Sequence, residues 1–170
     1  EAMREIFADD AAVSLVYVGP ETEHHGAPIS QVIRQGLGPD FCNRVCFIGR
    51  VAHEYALAWM QGARVVALPS RVESFGIVPV EAMQLAVPVI YTKLVSGPEV
   101  IEHGTDGWLV DPDSAHDLAV AIRWMLNNPA EAGRMARVGS IKARERFTLA
   151  NCLKNSSNFY KIALEIDNER

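Results

Sequence analysis

The sequence predicts an α/β fold, a Rossmann-like parallel sheet with helices on both faces and a helical C-terminal end. Three observations predict it. Short apolar runs bounded by turn residues alternate with helix-period segments through the first two thirds of the chain. Their spacing is that of βαβ crossovers, which force neighbouring strands to run parallel. After Trp108–Val110 only helix patterns remain.

The elements follow in order. Residues 2–8 read as the end of a helix, with Met3, Ile6 and Phe7 on one side. Val13–Val18 is an apolar run stopped by Gly19-Pro20, hence a buried strand. Glu21–Ser30 reads as a polar loop, Gln31–Gln35 as a short helix and Arg44–Gly49 as the next strand. His53–Gln61 reads as a helix whose apolar face carries Tyr55, Leu57, Trp59 and Met60. Then come a strand at 64–68, a helix at 78–86, a strand at 87–91, a short helix at 98–103 and the strand Trp108–Val110. Ser114-Ala115-His116-Asp117 is a capping-box variant opening a helix with Leu118, Ile122, Met125 and Leu126 at helical spacing. Asn127-Asn128-Pro129 ends that helix, and proline suits the first turn of the next. Helices at about 130–146 and 150–165 complete the chain, the last lined by Leu153, Tyr160 and Leu164.

Bulk properties narrow the function classes. A chain of 170 residues fits one domain, and 49% apolar with 22% charged residues is the composition of a soluble globular protein. A net charge of −5 argues against nucleic acid as a partner. Any phosphate site must therefore be local. No apolar run reaches bilayer length and no segment resembles a signal peptide, so membrane contact, though open to a longer parent chain, is not indicated by this segment. Cys42, Cys46 and Cys152 lack metal-ligand spacing, and Cys42 and Cys46 read as buried thiols of a reduced, cytoplasmic protein. His24, His25, His53, His103 and His116 also lack metal spacing and read as surface residues, the adjacent His24 and His25 diverging. The Arg/Lys cluster at 134–146 reads as a solvated helix face.

Chemistry concentrates in Pro69-Ser70-Arg71-Val72-Glu73-Ser74-Phe75-Gly76-Ile77-Val78-Pro79-Val80-Glu81-Ala82-Met83. A strand turns through glycine into a helix, so backbone N–H groups at the helix start face outward. Those donors and the helix dipole favour an anion such as phosphate. Glu73 and Glu81 flank this turn, and carboxylates accept hydrogen bonds from sugar hydroxyls. Gly19, Gly49 and the 92–99 loop also follow strand ends. In an open parallel sheet all these loops converge on the carboxyl rim, where ligands bind. The combination suggests a nucleotide-sugar site.

This segment resembles the donor-sugar motif of retaining GT-B glycosyltransferases of the family-four, group 1 type. Asn43–Val51, Pro88-Val89-Ile90, Gly97-Pro98-Glu99-Val100-Ile101, Gly104 and Gly107-Trp108-Leu109-Val110 resemble flanking parts of the same domain, over roughly residues 10–127. The resemblance implies transfer of a sugar from a nucleoside diphosphate sugar to an acceptor with retention of configuration, and no cofactor or bound metal. It implies that Glu73 contacts the transferred sugar, that Ser74, Phe75, Gly76 and Ile77 present N–H groups to sugar or diphosphate, and that Glu81 binds the ribose. Gly19, Arg50 and Val51 would lie along the nucleotide, and Glu99 would brace the loop over the site. Phe75 reads equally as a core aromatic, Arg50 equally as a surface residue.

Two positions depart from the family pattern. Val95-Ser96-Gly97 stands where a Gly-Gly pair is usual, and Ala86 stands where a glycine usually precedes the Pro-Val-Ile strand. The family's C-terminal domain also opens with a strand and a loop whose Arg and Lys neutralise the diphosphate. This chain starts within the following helix. The expectation is thus one donor-binding domain over residues 1–170, a fragment inactive alone, without its first strand and its N-terminal acceptor domain. The alternatives are a stand-alone nucleotide-binding or partner-docking module and a GT-B-fold epimerase. A phosphorylase is disfavoured because Lys93 is the only lysine before residue 142 to hold pyridoxal phosphate.

Overall fold

The computed structural model describes residues 1–168. Helix α1 (Ala2–Asp9) leads into strand β1 (Leu15–Val18), the two-residue strands β2 (Glu23–His24) and β3 (Ala27–Pro28), and helix α2 (Ile29–Leu37). Next come β4 (Val45–Gly49), α3 (His53–Gln61), β5 (Val66–Leu68), α4 (Ile77–Gln84), β6 (Val89–Thr92), the single turn α5 (Gly97–Val100) and β7 (Trp108–Val110). Helices α6 (Ala115–Asn127), α7 (Pro129–Arg146) and α8 (Leu149–Asn168) follow. The expected α/β alternation and helical end are both present.

Two parallel ladders carry the fold. Strand β1 pairs with β4, Leu15 opposite Val45, and β5-β6-β7 pair with Val66 opposite Val89 and Ile90 opposite Trp108. No hydrogen-bonded ladder joins the two sheets among the described residues. Central β6 is buried along its whole length, and its side chains alternate between two cores as the pleat requires. Ile90 packs with Ile6, Val110, Ile122 and Met135, so α1, α6 and α7 cover that face. Val89 and Tyr91 pack with Val80, Met83, Val100 and Ala143, placing α4, α5 and the end of α7 on the other.

The pairing is not parallel throughout. Within the expected loop, β2 and β3 form a small antiparallel hairpin. Its turn residues His25 and Gly26 have φ of 51° and 79°, the left-handed pair a two-residue type I′ turn needs. The same turn overrides divergence of adjacent side chains: the His24 and His25 rings meet edge-on at 4.3 Å. Contrary to the expectation of buried thiols, Cys46 is exposed on the uncovered face of the β1–β4 ladder beside exposed Val16, and Cys42 is half-buried in the turn before β4. For α3, the expected apolar face stays largely open, with Tyr55 and Trp59 exposed.

Local signals acted as read at the helix ends. Ser114 Oγ accepts from the Asp117 N–H at 3.1 Å, and Pro129 occupies the first turn of α7. The box is not reciprocal, since Asp117 instead accepts from the Asp111 N–H at 2.7 Å. Arg44 has a role that no motif announced. Its guanidinium donates to the carbonyls of Phe7, Asp10 and Val13 and stacks 4.2 Å over the Phe7 ring, clasping the end of α1 to the start of β1. Within the basic face of α7, Lys142 is likewise committed: it pairs with buried Asp106 at 2.6 Å.

Helix α4 closes in a Schellman pattern, with the Ala86 N–H on Met83 O and the Val87 N–H on Ala82 O. Ala86 holds the left-handed position, φ 55°, where glycine carries no Cβ penalty. We therefore expect Ala86→Gly to raise stability by about 1 kcal/mol, an increase of roughly 2–4 °C in thermal midpoint. A midpoint unchanged or lowered in a thermal melt would contradict this reading of the cap.

Candidate functional site

The expected donor turn is built by β5, which delivers the chain to residues 69–76, and by α4, which carries it away. Gly76 caps α4 with φ 87° and is buried. A Cβ there would lie 2.9 Å from Cζ of Tyr91, closer than real side chains approach. Glycine is thus required twice, by conformation and by space. Among the described residues, no acceptor engages the N–H groups of Phe75, Gly76, Ile77 or Val78. Pro79 has no N–H to offer, so Ile77 and Val78 present the free donors of the first turn.

Glu73 is half-buried at the head of this turn, its Oε1 accepting from the Ser74 N–H at 3.0 Å. The Phe75 ring leaves the site and meets Phe147 edge-on at 5.8 Å, so residue 75 has only its backbone to offer a ligand there. Four residues beyond Ile77, about 6 Å along the helix, Glu81 emerges on the α3 side. Its side chain is 20% exposed, and Oε1 lies 3.3 Å from Nε2 of His53.

That contact links Glu81 to the other sheet. His53 opens α3 two residues after Val51, and the Gly19 N–H donates to Gly49 O at 3.0 Å, drawing the ends of β1 and β4 together. Gly19, Gly49, Val51, His53 and Glu81 therefore belong to one neighbourhood, with Arg50 exposed beside it. Glu73 and residues 74–77 form a second neighbourhood, and α4 bridges the two. His53 is the residue that sequence reasoning missed. The available signal was its position at a helix start shortly after the end of β4, next to Arg50 and Val51, which were expected along the nucleotide.

Two ion pairs edge the rim beyond β5, β6 and β7. Arg71 meets Asp113 at 2.6 Å and Lys93 meets Asp111 at 2.8 Å, all four side chains open to solvent. The Lys93 hydrogen bond and the Asp113 N–H hold the Asp111 carboxyl below its ordinary range, and Asp111 in turn raises Lys93. The Lys93–Asp111 pair therefore stays charged at neutral pH. Glu99 lies exposed on α5 and makes no side-chain hydrogen bond or ion pair among the described residues, so the expected bracing of the loop is not seen. Nor do these residues contain a His/Cys/Asp/Glu cluster fit for a metal ion, or a helix long and apolar enough to cross a membrane.

A parallel α/β unit whose glycine turn opens a helix between two carboxylates is a fold of the GT-B glycosyltransferase kind. The chain belongs to the group 1 glycosyl transferases, whose family description, "Glycosyl transferases group 1", matches residues 1–128. It is 39% identical over 87 residues to the D-inositol 3-phosphate glycosyltransferase of Pseudarthrobacter chlorophenolicus, covering 51% of this chain and 21% of that protein. To the glycogen synthase of Mycobacterium tuberculosis it is 34% identical over 102 residues, 60% of this chain and 24% of that one. The chain thus spans about a quarter of the curated relatives it matches. Among solved structures, Anabaena HepE in complex with UDP superposes with a TM-score of 0.80 at 26% identity, over 94% of this chain and 44% of that one. Sucrose-phosphate synthase from Thermosynechococcus elongatus superposes with a TM-score of 0.79 at 26% identity, over 96% and 42%.

Proposed function

We propose that these residues form the donor-binding part of an enzyme that moves a sugar from a nucleoside diphosphate sugar to an acceptor, with retention of configuration and without a bound metal. The observation that carries this reading is the run of unengaged N–H groups at 75–78 at the start of α4, with Glu73 on one side and Glu81 on the other. The UDP and UDP-glucose complexes of the structurally similar HepE support the donor class.

In this reading the diphosphate lies against the α4 N-terminus, where backbone donors and the helix dipole take up the charge that grows as the glycosidic bond breaks. Glu73 accepts hydrogen bonds from hydroxyls of the transferred sugar and fixes its ring. Glu81 accepts from the ribose diol, with His53 on its other side. Gly19 and Val51 pass beside the base and ribose, and Arg50 lies at the edge.

Nucleoside diphosphate release by the natural full-length chain tests the proposal, assayed across a panel of nucleoside diphosphate sugars with NMR of the product's anomeric centre. Release from at least one donor with the donor's anomeric configuration kept is the expected result. An inverted product removes the retention claim. Binding without turnover favours a nucleotide-binding module, and no binding of any donor or nucleoside diphosphate removes the reading altogether.

A further inference from the structure

Tyr91 is a wholly buried side chain in β6, and its hydroxyl reaches the floor of the donor turn. It lies directly beneath Gly76, in the space a Cβ at that position would fill. The same oxygen lies 2.9 Å from Oγ of Ser96, itself buried. Ser96 caps α5 and belongs to the loop after β6, which is tied down on both sides. The Leu94 N–H donates to Thr92 Oγ1 at 3.2 Å, and the Lys93 N–H donates to Val110 O at 2.8 Å. Burial pushes the Tyr91 hydroxyl pKa up, the Ser96 bond opposes this, and the nearby charge of Glu73 adds to it, so the proton stays on.

We propose that Tyr91 and Ser96 form a strut that sets the donor turn against the 93–97 loop, making them positioning residues for sugar transfer. The inference rests on the donor-site reading above for its catalytic meaning but not for its geometry. A hydroxyl pair with no access to water cannot exchange partners cheaply, so losing one oxygen leaves the other unsatisfied. The turn above it then loses its fixed height. Glu73 and the 75–78 N–H groups ride on that turn. Small displacements of positioning groups reduce rate more than ground-state binding.

The test uses Tyr91→Phe, Ser96→Ala and the double variant in the natural full-length chain. Hydrogen–deuterium exchange is read first, because it needs no donor. Each single variant is expected to speed exchange in peptides covering both 72–80 and 93–97. Faster exchange confined to one of these segments, or to neither, overturns the strut. Kinetics come second. Each single variant is expected to lower kcat about tenfold with donor KM within about threefold, and the double variant to be no worse than the weaker single, since one bond is removed. Unchanged kcat in both singles, or losses that multiply, overturns the positioning role. A wild-type enzyme that neither binds nor turns over any donor sinks the proposed function, while the exchange result still decides the strut. If Tyr91→Phe does not fold, Ser96→Ala carries both readouts.

Discussion

Gly97→Ala is expected to lower stability by about 3 kcal/mol, a fall of roughly 6–12 °C in thermal midpoint. Gly97 is buried at the start of α5, and a Cβ there would overlap the carbonyl of Thr92, standing 2.9 Å from its carbon. Backbone cannot rotate away as a side-chain tip can. Thr92 closes the central strand and pairs with Val110, and Lys93 extends the same ladder. Relief therefore requires breaking a ladder bond or lifting α5 from Leu109. Gly36→Ala is the contrast. Its added Cβ meets nothing within 4 Å inside helix α2, so it is expected to raise stability by about 0.5–1 kcal/mol. A Gly97→Ala midpoint within about 2 °C of wild type would mean that the loop after β6 is looser than its contacts imply.

Glu73→Gln and Glu81→Gln are expected to separate rate from binding. Glutamine keeps the size of the side chain but turns one acceptor oxygen into a donor NH₂. At Glu81, Oε1 lies against His53, which leaves Oε2 for the proposed ribose diol, and a mismatch there costs about 1–3 kcal/mol. Ribose contacts are made equally in ground and transition states, so the loss appears as a donor KM raised roughly 5- to 150-fold. In the proposed site Glu73 contacts the sugar beside the reacting centre, where contacts tighten as the bond breaks, and kcat is expected to fall on the order of 10- to 100-fold. Steady-state kinetics on the natural full-length enzyme decide between the roles. Should Glu81→Gln depress only kcat while Glu73→Gln raises only KM, the two assignments must be exchanged.

Local chemistry made much of the chain readable. The strand-turn-helix around Gly76, the Ser114 cap and the Pro129 start each depend on residues within a few positions of one another, so a short window contains the cause. The paired strands 15–18, 45–49, 66–68, 89–92 and 108–110 were visible for the same reason, as apolar runs between turn residues. Boundaries moved by up to three residues, as at the ends of α5 and α8, where hydrogen-bond partners, not composition, end an element. The β2–β3 hairpin was missed because its turn uses a histidine at positive φ, which carries no turn signature. Ala86 and Val95, at φ 55° and 51°, show the reverse. The family resemblance marked both as departures at places where glycine is usual, but the backbone conformation that makes them strained became visible only in the fold.

By itself the sequence determined the fold class, the motif and the pair of carboxylates, because strand and helix periodicity and turn chemistry are short-range properties. Tertiary structure alone decided which groups stand against them. His53 reaches Glu81 across 28 positions, Tyr91 lies under Gly76 across 15, and Lys142 finds Asp106 across 36. Each contact depends on strand register and on the angle at which a helix crosses the sheet. Those are set by how the two cores on either side of β6 fill their volume, a collective property that no local stretch of residues encodes.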